Sequence, residues 1–326
     1  METRGLPVNG MLVIDKPEGM ISKDVSRWLT KRIPKRTRLG HVGTLDPIAS
    51  GVLPLLLGQA TKLQDYLHLF RKAYEFDIKL GSETDTLDTD GTVIATADFT
   101  SVTEDMLRSA VGQFKGQIEQ VPPMYSALKY NGKPLYEYAR EGLQDQVPQD
   151  VLKRTVTIHD LEFLKFESGV ATYRVVCSKG TYVRSLARSL AAAVGTIGTV
   201  SRIVRIETAG VSLDNAHSIA FIEDNWRDLG TYIVPLEQIS LAILKWQCPN
   251  AVWVRRLKQG QRLVLDQSEF EKYISSAESR LINNDTVDQE TGEMLLLDEE
   301  GAAFGIGCWK KHGVDLRKIS LRRGLV

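Results

Sequence analysis

The sequence predicts an α/β protein of the α+β kind, in which helices pack on a mixed, largely antiparallel sheet and a small β-rich region follows. Residues 73–80 alternate so that Tyr74 and three other apolar side chains share one face of a strand. Residues 156–166 and 170–178 flank a Ser-Gly turn and predict a hairpin. Apolar residues at helical spacing occur between these strands, as at residues 103–114. Together these features predict a sheet covered by helices.

The other predicted elements before residue 235 depend on apolar periodicity and on turn or cap residues. They are a strand at 11–14, a helix that Ser22 caps and whose apolar face carries Val25, Trp28 and Leu29, a buried strand at 52–57, a short helix at 61–70, an Asn131-Gly132 turn before a short helix at 135–141, and a helix that ends at Gly195.

The chain changes character near residue 235. Short apolar runs at 252–254, 262–265 and 303–306 predict strands, and two basic clusters flank an acidic stretch at 263–300. We therefore predict two domains. The first is an α/β domain at 1–235 with an insertion at about 122–150, and the second is a β-rich domain at 236–326 with its own basic face.

The composition is that of a soluble globular protein, with 43% hydrophobic and 25% charged residues and a formal net charge of zero. The charge is unevenly spread. Residues 23–38 carry seven Lys or Arg against one acid, and residues 310–323 carry six against one. A net charge of zero therefore conceals basic surfaces and does not argue against RNA as a partner.

The cysteines and the apolar segments exclude several classes of protein. Cys177, Cys248 and Cys308 form no Cys-x-x-Cys pair, so a structural zinc site or a disulfide framework has no support. The N-terminus lacks a signal-peptide pattern, and the longest apolar stretch, at 52–57, is too short to span a bilayer. We therefore expect a cytoplasmic protein.

The most informative segment is the run LGHVGTLDPIASG at residues 39–51. It holds one carboxylate, Asp46, among three glycines, and it directly follows the basic tract at 23–38. Glycine lets the backbone approach a ligand closely, and a basic tract attracts a polyanion. The combination predicts chemistry on a nucleic acid. The plainer interpretation is ordinary turn residues beside a solvated helix.

A polar loop at residues 84–91 invites a calcium interpretation through Asp85, Asp88 and Asp90. An EF-hand loop with Asp90 and Gly91 at its fifth and sixth positions requires an acid at residue 86 and a Glu at residue 97. The chain has Thr86 and Ala97 there. The spacing therefore excludes this calcium site.

Two further segments suit contacts with RNA. Residues 122–141 interleave four tyrosines with Lys129 and two other cations, a pattern that suits unpaired bases and phosphates, although a packed hairpin explains it equally well. Lys179, Tyr182 and Arg184 lie at a strand-to-helix junction, where a phosphate or a carboxylate is favourably bound.

Five ordered motifs over roughly residues 8–210 closely resemble those of the TruB family of pseudouridine synthases. They are KPEG at 16–19, GHVGTLDP followed by ASGVL at 40–53, KAY at 72–74, PMYSALK at 123–129 and SKGTYVR at 178–184. The segments around Gly260 and Gly305 are similar to the small β-barrel PUA domain that this family carries at its C-terminus.

The resemblance implies isomerisation of the T-loop uridine of tRNA, at position 55, to pseudouridine without a cofactor or metal. The glycosidic carbon–nitrogen bond is cleaved, the uracil rotates, and it is rejoined through C5. Asp46 is implied as the nucleophile, attacking either the sugar or the base, and Arg184 would hold it ionised and oriented. Tyr74 would stack on the flipped uracil, Tyr182 would line the same pocket, and His41 would fill the space left in the T-loop.

The resemblance assigns further substrate contacts to Lys16, Pro17, Lys129, Ile203 and Arg205. Lys16 and Pro17 would shape the pocket floor. Near Ile203 the family often carries paired arginines, and in this chain Val204 replaces the first of them.

Three other functions stay open: a catalytic subunit that needs a guide RNA and partner proteins, an RNA-binding or RNA-folding factor without catalysis, and a protein scaffold. The complete insertion favours a stand-alone enzyme, and the intact set of Asp46, Tyr74 and Arg184 argues against lost catalysis. We expect tRNA, bound through its T-arm, as the partner of a monomer that needs no membrane and no other protein.

Overall fold

The computed structural model describes residues 9–241, 243–276, 290–313 and 315–325. The strands are β1 (Gly10–Lys16), β2 (Leu39–His41), β3 (Ala49–Leu57), β4 (Lys72–Leu80), β5 (Ser82–Thr84), β6 (Val93–Thr96), β7 (Gly116–Gln120), β8 (Lys129–Tyr130), β9 (Lys133–Pro134), β10 (Arg154–Glu167), β11 (Val170–Cys177), β12 (Gly198–Thr208), β13 (Val211–Ser212), β14 (His217–Ser218), β15 (Ile233–Val234), β16 (Leu244–Gln247), β17 (Leu263–Asp266), β18 (Ile274–Ser276), β19 (Thr291–Leu297), β20 (Ala303–Lys311) and β21 (Leu316–Gly324).

Helices connect these strands. The α-helices are α1 (Ser22–Thr30), α2 (Gln64–Leu67), α3 (Glu104–Ala110), α4 (Leu135–Arg140), α5 (Gln149–Leu152), α6 (Val183–Ala193), α7 (Ile219–Asp224), α8 (Ala251–Lys258) and α9 (Gln267–Lys272). Short 3₁₀ helices span Gly58–Leu63, Val111–Phe114, Gln144–Gln146, Leu213–Asn215, Trp226–Tyr232 and Leu236–Gln238.

A large mixed sheet organises the first part of the chain, with the strand order β14-β1-β3-β12-β4-β11-β10-β7. The pairs β1–β14 and β3–β12 are parallel, and the other pairs along this order are antiparallel. The predicted mixed, largely antiparallel sheet is therefore confirmed. β3, β12 and β4 are adjacent, so the segments that precede β3 and β4 and the centre of β12 meet at one place.

The alternation that predicted β4 agrees with its burial. Tyr74, Phe76, Ile78 and Leu80 are all buried in one core cluster with residues of α1 and α6. The predicted hairpin is formed by β10 and β11, and its turn residues Ser168 and Gly169 both have positive φ. Two positive φ values in a two-residue turn match the twist of an antiparallel pair.

The prediction that Ser22 caps α1 is wrong. Ser22 is the first helical residue, and the preceding Ile21 makes no side-chain capping bond. The Ser22 hydroxyl instead donates to the Leu45 carbonyl at 3.0 Å and accepts from the Leu45 amide at 2.7 Å. A buried hydroxyl satisfies its hydrogen bonds wherever partners are available. In this chain the partners belong to the glycine-rich loop, so Ser22 ties α1 to that loop.

The prediction of a strand at 252–254 is also wrong, because these residues lie within α8. The Asn250 side chain accepts a hydrogen bond from the Trp253 amide and caps the helix, and Val254 and Leu257 are buried on one face at helical spacing. The runs at 262–265 and 303–306 fall in strands β17 and β20, as predicted.

The acidic stretch at 263–300 contributes three strands to the second sheet, whose order is β17-β21-β20-β19-β16-β18. These strands are β17, β18 and β19, whereas residues 277–289 lie outside the described residues. Leu295 and Ile306 of this sheet share a core cluster with Met11 and Leu56 of the first sheet. The division into two domains at 235 stays a prediction.

The insertion packs around a small apolar cluster of its own. Leu135, Val147 and Leu152 are buried there, with Leu128 and Tyr138 against them. The predicted turn at Asn131-Gly132 joins β8 to β9, and α4 follows. Within the described segments, no helix combines the length and the hydrophobicity that crossing a bilayer requires.

Gly51 provides a test of how tightly β3 and β12 approach. Its φ is +99°, and a Cβ at this position would lie 2.3 Å from the Arg205 carbonyl oxygen. We expect Gly51→Ala to lower the free energy of unfolding by about 3 kcal/mol or more, because the backbone atoms it meets cannot move aside. Urea denaturation monitored by circular dichroism measures this loss.

Gly132→Ala is the matched control for that substitution. Gly132 has a similar φ of +82°, but its added Cβ would meet no atom within 4 Å. The control is expected to be destabilised only by the strain of about 1–2 kcal/mol that a left-handed backbone imposes. An equal decrease in the free energy of unfolding of the two variants would contradict the close approach of β3 and β12.

Candidate active site

The loop between β2 and β3 presents Asp46 at the edge of the large sheet. Ser22 fixes its centre through Leu45, and the Gly19 amide donates to the Pro47 carbonyl at 2.8 Å. The side chain of Asp46 remains 43% exposed. The backbone of the loop is thus held from two sides while its carboxylate stays accessible to a ligand.

Lys16 hydrogen-bonds to the backbone of residues 17–20, which lie beside the Asp46 loop. Its side chain is fully buried, and its ammonium donates to the carbonyls of Met20 at 2.5 Å and Pro17 at 2.9 Å. Burial lowers the pKa of Lys16 to about 8, and the negative charge of Asp46 partly opposes this. Pro17 itself is exposed. Lys16 and Pro17 therefore shape the backbone under the Asp46 loop.

Arg184, in the first turn of α6, makes the central ion pair of the site. Its Nη2 lies 2.7 Å from Asp46 Oδ2, and its Nη1 lies 3.1 Å from Asp88 Oδ2. The same guanidinium donates to the Thr86 carbonyl at 2.8 Å and to the Tyr125 carbonyl at 2.9 Å. Arg184 is 4% exposed. This buried cation is therefore fully engaged, and it orients the exposed carboxylate of Asp46.

A cavity of about 210 Å³ opens beside this ion pair. Its walls include Asp46, Tyr74, Tyr182, Arg184 and Ile203. The residues come from the loop before β3, from β4, from the start of α6 and from β12. Five of the ten residues that the sequence predicted for the site thus meet at one cavity.

The two tyrosines of this cavity differ in their surroundings. Tyr74 is buried, and burial raises its pKa to about 12, so that its phenol is protonated at neutral pH. Tyr182 precedes α6 and is half-buried, and the guanidinium of Arg154 lies 5.4 Å from its ring centroid. Both rings offer a planar surface at the cavity wall.

His41 lies at the end of β2, away from this cavity. Its Nδ1 is 3.3 Å from Ser26 Oγ and its Nε2 is 3.2 Å from Thr44 Oγ1. Burial and the positive charge of Arg205 lower the pKa of His41, which favours the neutral ring at neutral pH. A neutral imidazole held by hydroxyls on both sides suits stacking on a base.

A second, larger cavity of about 700 Å³ adjoins the first and shares Thr44, Tyr74, Thr181 and Tyr182 with it. Lys129 of the insertion lies exposed at this cavity. Arg205 also lines it but is fully buried, and its Nε donates to the Val52 carbonyl at 2.7 Å. Arg205 is thus a buried cation in the wall of the cavity.

Sequence reasoning missed Asp88 as a site residue. The residue pattern at 84–91 invites only a calcium interpretation, yet Asp88 is 5% exposed and is the second carboxylate on Arg184. The Thr86 hydroxyl donates to Asp88 Oδ1 at 2.6 Å and orients it. A single sequence carries no signal for this contact, because Asp88 and Arg184 are 96 residues apart.

The described residues contain no cluster of three or more His, Cys, Asp or Glu side chains that could hold a metal ion. The chemistry available at the cavity is that of an oriented carboxylate, a protonated phenol and planar rings. This set suits nucleophilic attack on a planar ligand, or electrostatic stabilisation of a cation that develops on it.

Comparison with known proteins gives consistent results. The family model "TruB family pseudouridylate synthase (N terminal domain)" matches residues 31–183. A protein of Psychrobacter cryohalolentis named tRNA pseudouridine synthase B is 34% identical over 342 residues, covering 94% of this chain and 92% of its own. A protein of the same name from Alkaliphilus oremlandii is 35% identical, and the match covers 96% of this chain and 97% of that protein.

Solved structures share the fold. The crystal structure of a Cbf5-Nop10-Gar1 complex contains a chain that matches all of this chain and 91% of its own length, with a TM-score of 0.68 and 20% identity. At this identity the likeness concerns the fold alone. On the family match and on relatives that are similar over nearly their whole length, the chain belongs to the TruB family of pseudouridylate synthases.

Proposed function

We propose that this protein isomerises uridine to pseudouridine in tRNA, at position 55 of the T-loop. The observation that carries the proposal is the ion pair of Asp46 and Arg184 at the cavity that Tyr74 and Tyr182 line. The relatives described above are named tRNA pseudouridine synthase B, which supports tRNA as the substrate.

Asp46 is the proposed nucleophile, and it attacks either the ribose or the uracil ring. In the overall reaction the C1′–N1 bond breaks and a C1′–C5 bond forms. The hydrogen on C5 leaves as a proton, and N1 gains one. Arg184 keeps the carboxylate oriented toward the cavity without itself being exposed. Tyr74, with its protonated phenol, stacks on the uracil and is positioned to move a proton as the base is rearranged.

The target base must leave the folded T-loop before it reaches Asp46. Flipping costs a few kcal/mol, which stacking and phosphate contacts offset. Tyr182 provides a stacking surface at the cavity, Ile203 provides an apolar wall, and the neutral ring of His41 replaces the base in the T-loop. Lys129 of the insertion contacts the RNA backbone from the other side of the large cavity.

The protein is proposed to act alone on the T-arm, as a monomer in the cytoplasm. The insertion supports this proposal because it gives the chain its own RNA clamp, packed on its own apolar cluster. A subunit that depends on a guide RNA, or a tRNA-folding factor without catalysis, would bind RNA but would not convert free tRNA.

The first prediction concerns Asp46. The substitution Asp46→Asn is expected to abolish release of tritium from tRNA labelled at C5 of uridine, because an amide is not a nucleophile at carbon. Binding of tRNA should stay within about tenfold, or ~1.4 kcal/mol, since Asn keeps the shape of the side chain. Turnover by this variant would remove Asp46 from the mechanism. Wild-type protein that binds tRNA without releasing tritium would instead favour one of the two alternatives.

The second prediction concerns Asp88. We expect Asp88→Asn to lower kcat for tritium release by about tenfold or more with little change in KM, because Arg184 loses the carboxylate that fixes its Nη1. Asp90→Asn is the matched control, since Asp90 is exposed on the same loop. Equal activity of the two variants would show that Arg184 is held well enough by its other partners.

The third prediction concerns the basic tract. Lys35→Gln with Arg38→Gln is expected to weaken tRNA binding and to reduce the slope of log Kd against log salt by about 0.7–0.9 for each phosphate that the protein no longer neutralises. Lys165→Gln, on the exposed end of β10, is the control. If the salt slope of the Lys35→Gln, Arg38→Gln variant equals that of the Lys165→Gln control, the basic tract does not contact the RNA.

A further inference from the structure

The charged residues that line the larger of the two cavities are all positive. Six of its lining residues are Lys or Arg, and none of the described lining residues is Asp or Glu: Lys72, Lys129, Lys153, Arg154, Lys179 and Arg205. Of these cations, Lys153 is neutralised by an ion pair with Asp150 at 2.9 Å. A concave surface with one sign of charge concentrates ligands of the opposite sign.

Two of these cations are buried without a counter-ion in the part of the chain that the structure describes. Lys72 is 8% exposed and forms no ion pair or hydrogen bond with any described residue. Arg205 is fully buried, and its guanidinium contacts only neutral groups among the described residues: the carbonyls of Val52 and Val42 and the Tyr74 hydroxyl. Its Nη1 has no hydrogen-bond acceptor among them. Buried charges in proteins are normally paired, because removing an ion from water is costly.

The environment of Lys72 reflects this missing partner. Burial, together with the positive charges of Arg205 and Lys179, lowers the pKa of Lys72 to about 8. The Cys177 thiol opposes the shift, but burial raises its own pKa to about 11, so it carries no negative charge at neutral pH. Lys72 and Arg205 therefore repel each other in the free protein.

Both cations line the large cavity, so an anion bound in that cavity can approach them. A Cβ at Gly43 would lie 2.9 Å from Arg205 Nη1 and 3.4 Å from Lys72 Cε, so the glycine lets the Asp46 loop pass close to both cations. Arg154 contributes another donor atom, its buried Nε, which has no acceptor among the described residues. The site thus offers several cationic donors to one ligand.

We propose that Lys72, with Arg205 behind it, binds one phosphodiester of the RNA backbone next to the flipped uridine. The inference rests on the proposed function and names a contact within the same substrate site. Lys72 and Arg205 line the large cavity and are absent from the walls of the cavity at Asp46, so they face the backbone and not the uracil. The residues that the two cavities share, such as Tyr74, place this phosphate close to the reacting nucleotide.

The first test compares Lys72→Met with Lys79→Met. Both lysines lie on β4, and Lys79 is exposed and lines neither cavity. Lys72→Met is expected to weaken tRNA binding by about tenfold or more and to reduce the salt slope by about 0.7–0.9, the change that removal of a single phosphate interaction produces. The Lys79 variant is expected to match the wild type in both measurements.

Thermal unfolding of the free protein gives an independent readout. Lys72→Met removes an uncompensated buried charge and keeps a side chain of similar length, so its Tm is expected to rise above that of the wild type. A lysine with a purely structural role would give a lower Tm on replacement. A lower Tm with unchanged tRNA affinity would therefore overturn the proposal.

The second test neutralises the phosphates one at a time. T-arm RNAs that carry a single methylphosphonate at successive positions around the target uridine are titrated against both proteins. At one position the substitution is expected to weaken binding to the wild type by about tenfold, with no further loss for Lys72→Met. Equal losses for both proteins at every position would overturn the proposal.

These measurements separate the two proposals. The binding experiments do not require turnover, so they test the phosphate contact even if wild-type protein releases no tritium. A Lys72→Met variant with normal affinity and salt slope but reduced kcat would assign Lys72 to the reaction and overturn the phosphate contact while leaving the proposed function intact.

Discussion

The site depends on one buried guanidinium. Arg184 joins the Asp46 loop, the loop that carries Thr86 and Asp88, and the start of the insertion at Tyr125. Three segments that are distant in sequence are therefore cross-linked by a single side chain at the start of α6. An arginine is suited to this role because its planar head presents several donors in a fixed geometry. Its charge is shared between one buried and one exposed carboxylate.

Two other buried cations near the site are arranged differently. Arg184 is satisfied within the protein, whereas Lys72 and Arg205 are buried beside a cavity without acids among its described lining residues. The first arrangement fixes the geometry of a reacting group, and the second leaves a charge for the ligand to neutralise. Interior cations without partners reduce the stability of the free protein and increase its affinity for a polyanion. The formal net charge of zero does not reveal this local distribution.

The sheet could be predicted because its signals are local. Alternation along β4, the turn residues between β10 and β11, and the glycine after α6 each specify a few residues of backbone. The errors occurred where a contact that the apolar pattern does not show decided the outcome. Ser22 bonds to Leu45 and not to its own helix, and residues 252–254 form a helix because Asn250 caps it and the second sheet covers one face.

The sequence by itself determined the strands β1, β3, β4, β10 and β11, the helices α1, α3, α4 and α6, the family resemblance and five residues that meet at one cavity, but not the central strand β12. It did so because the motifs are contiguous and the periodicities are short. Only the tertiary structure decided that Asp88 shares Arg184 with Asp46 and that Lys72 and Arg205 lack counter-ions among the described residues. Burial and ion pairing depend on which distant segments meet, and no property of a single residue or of its neighbours in the chain encodes that.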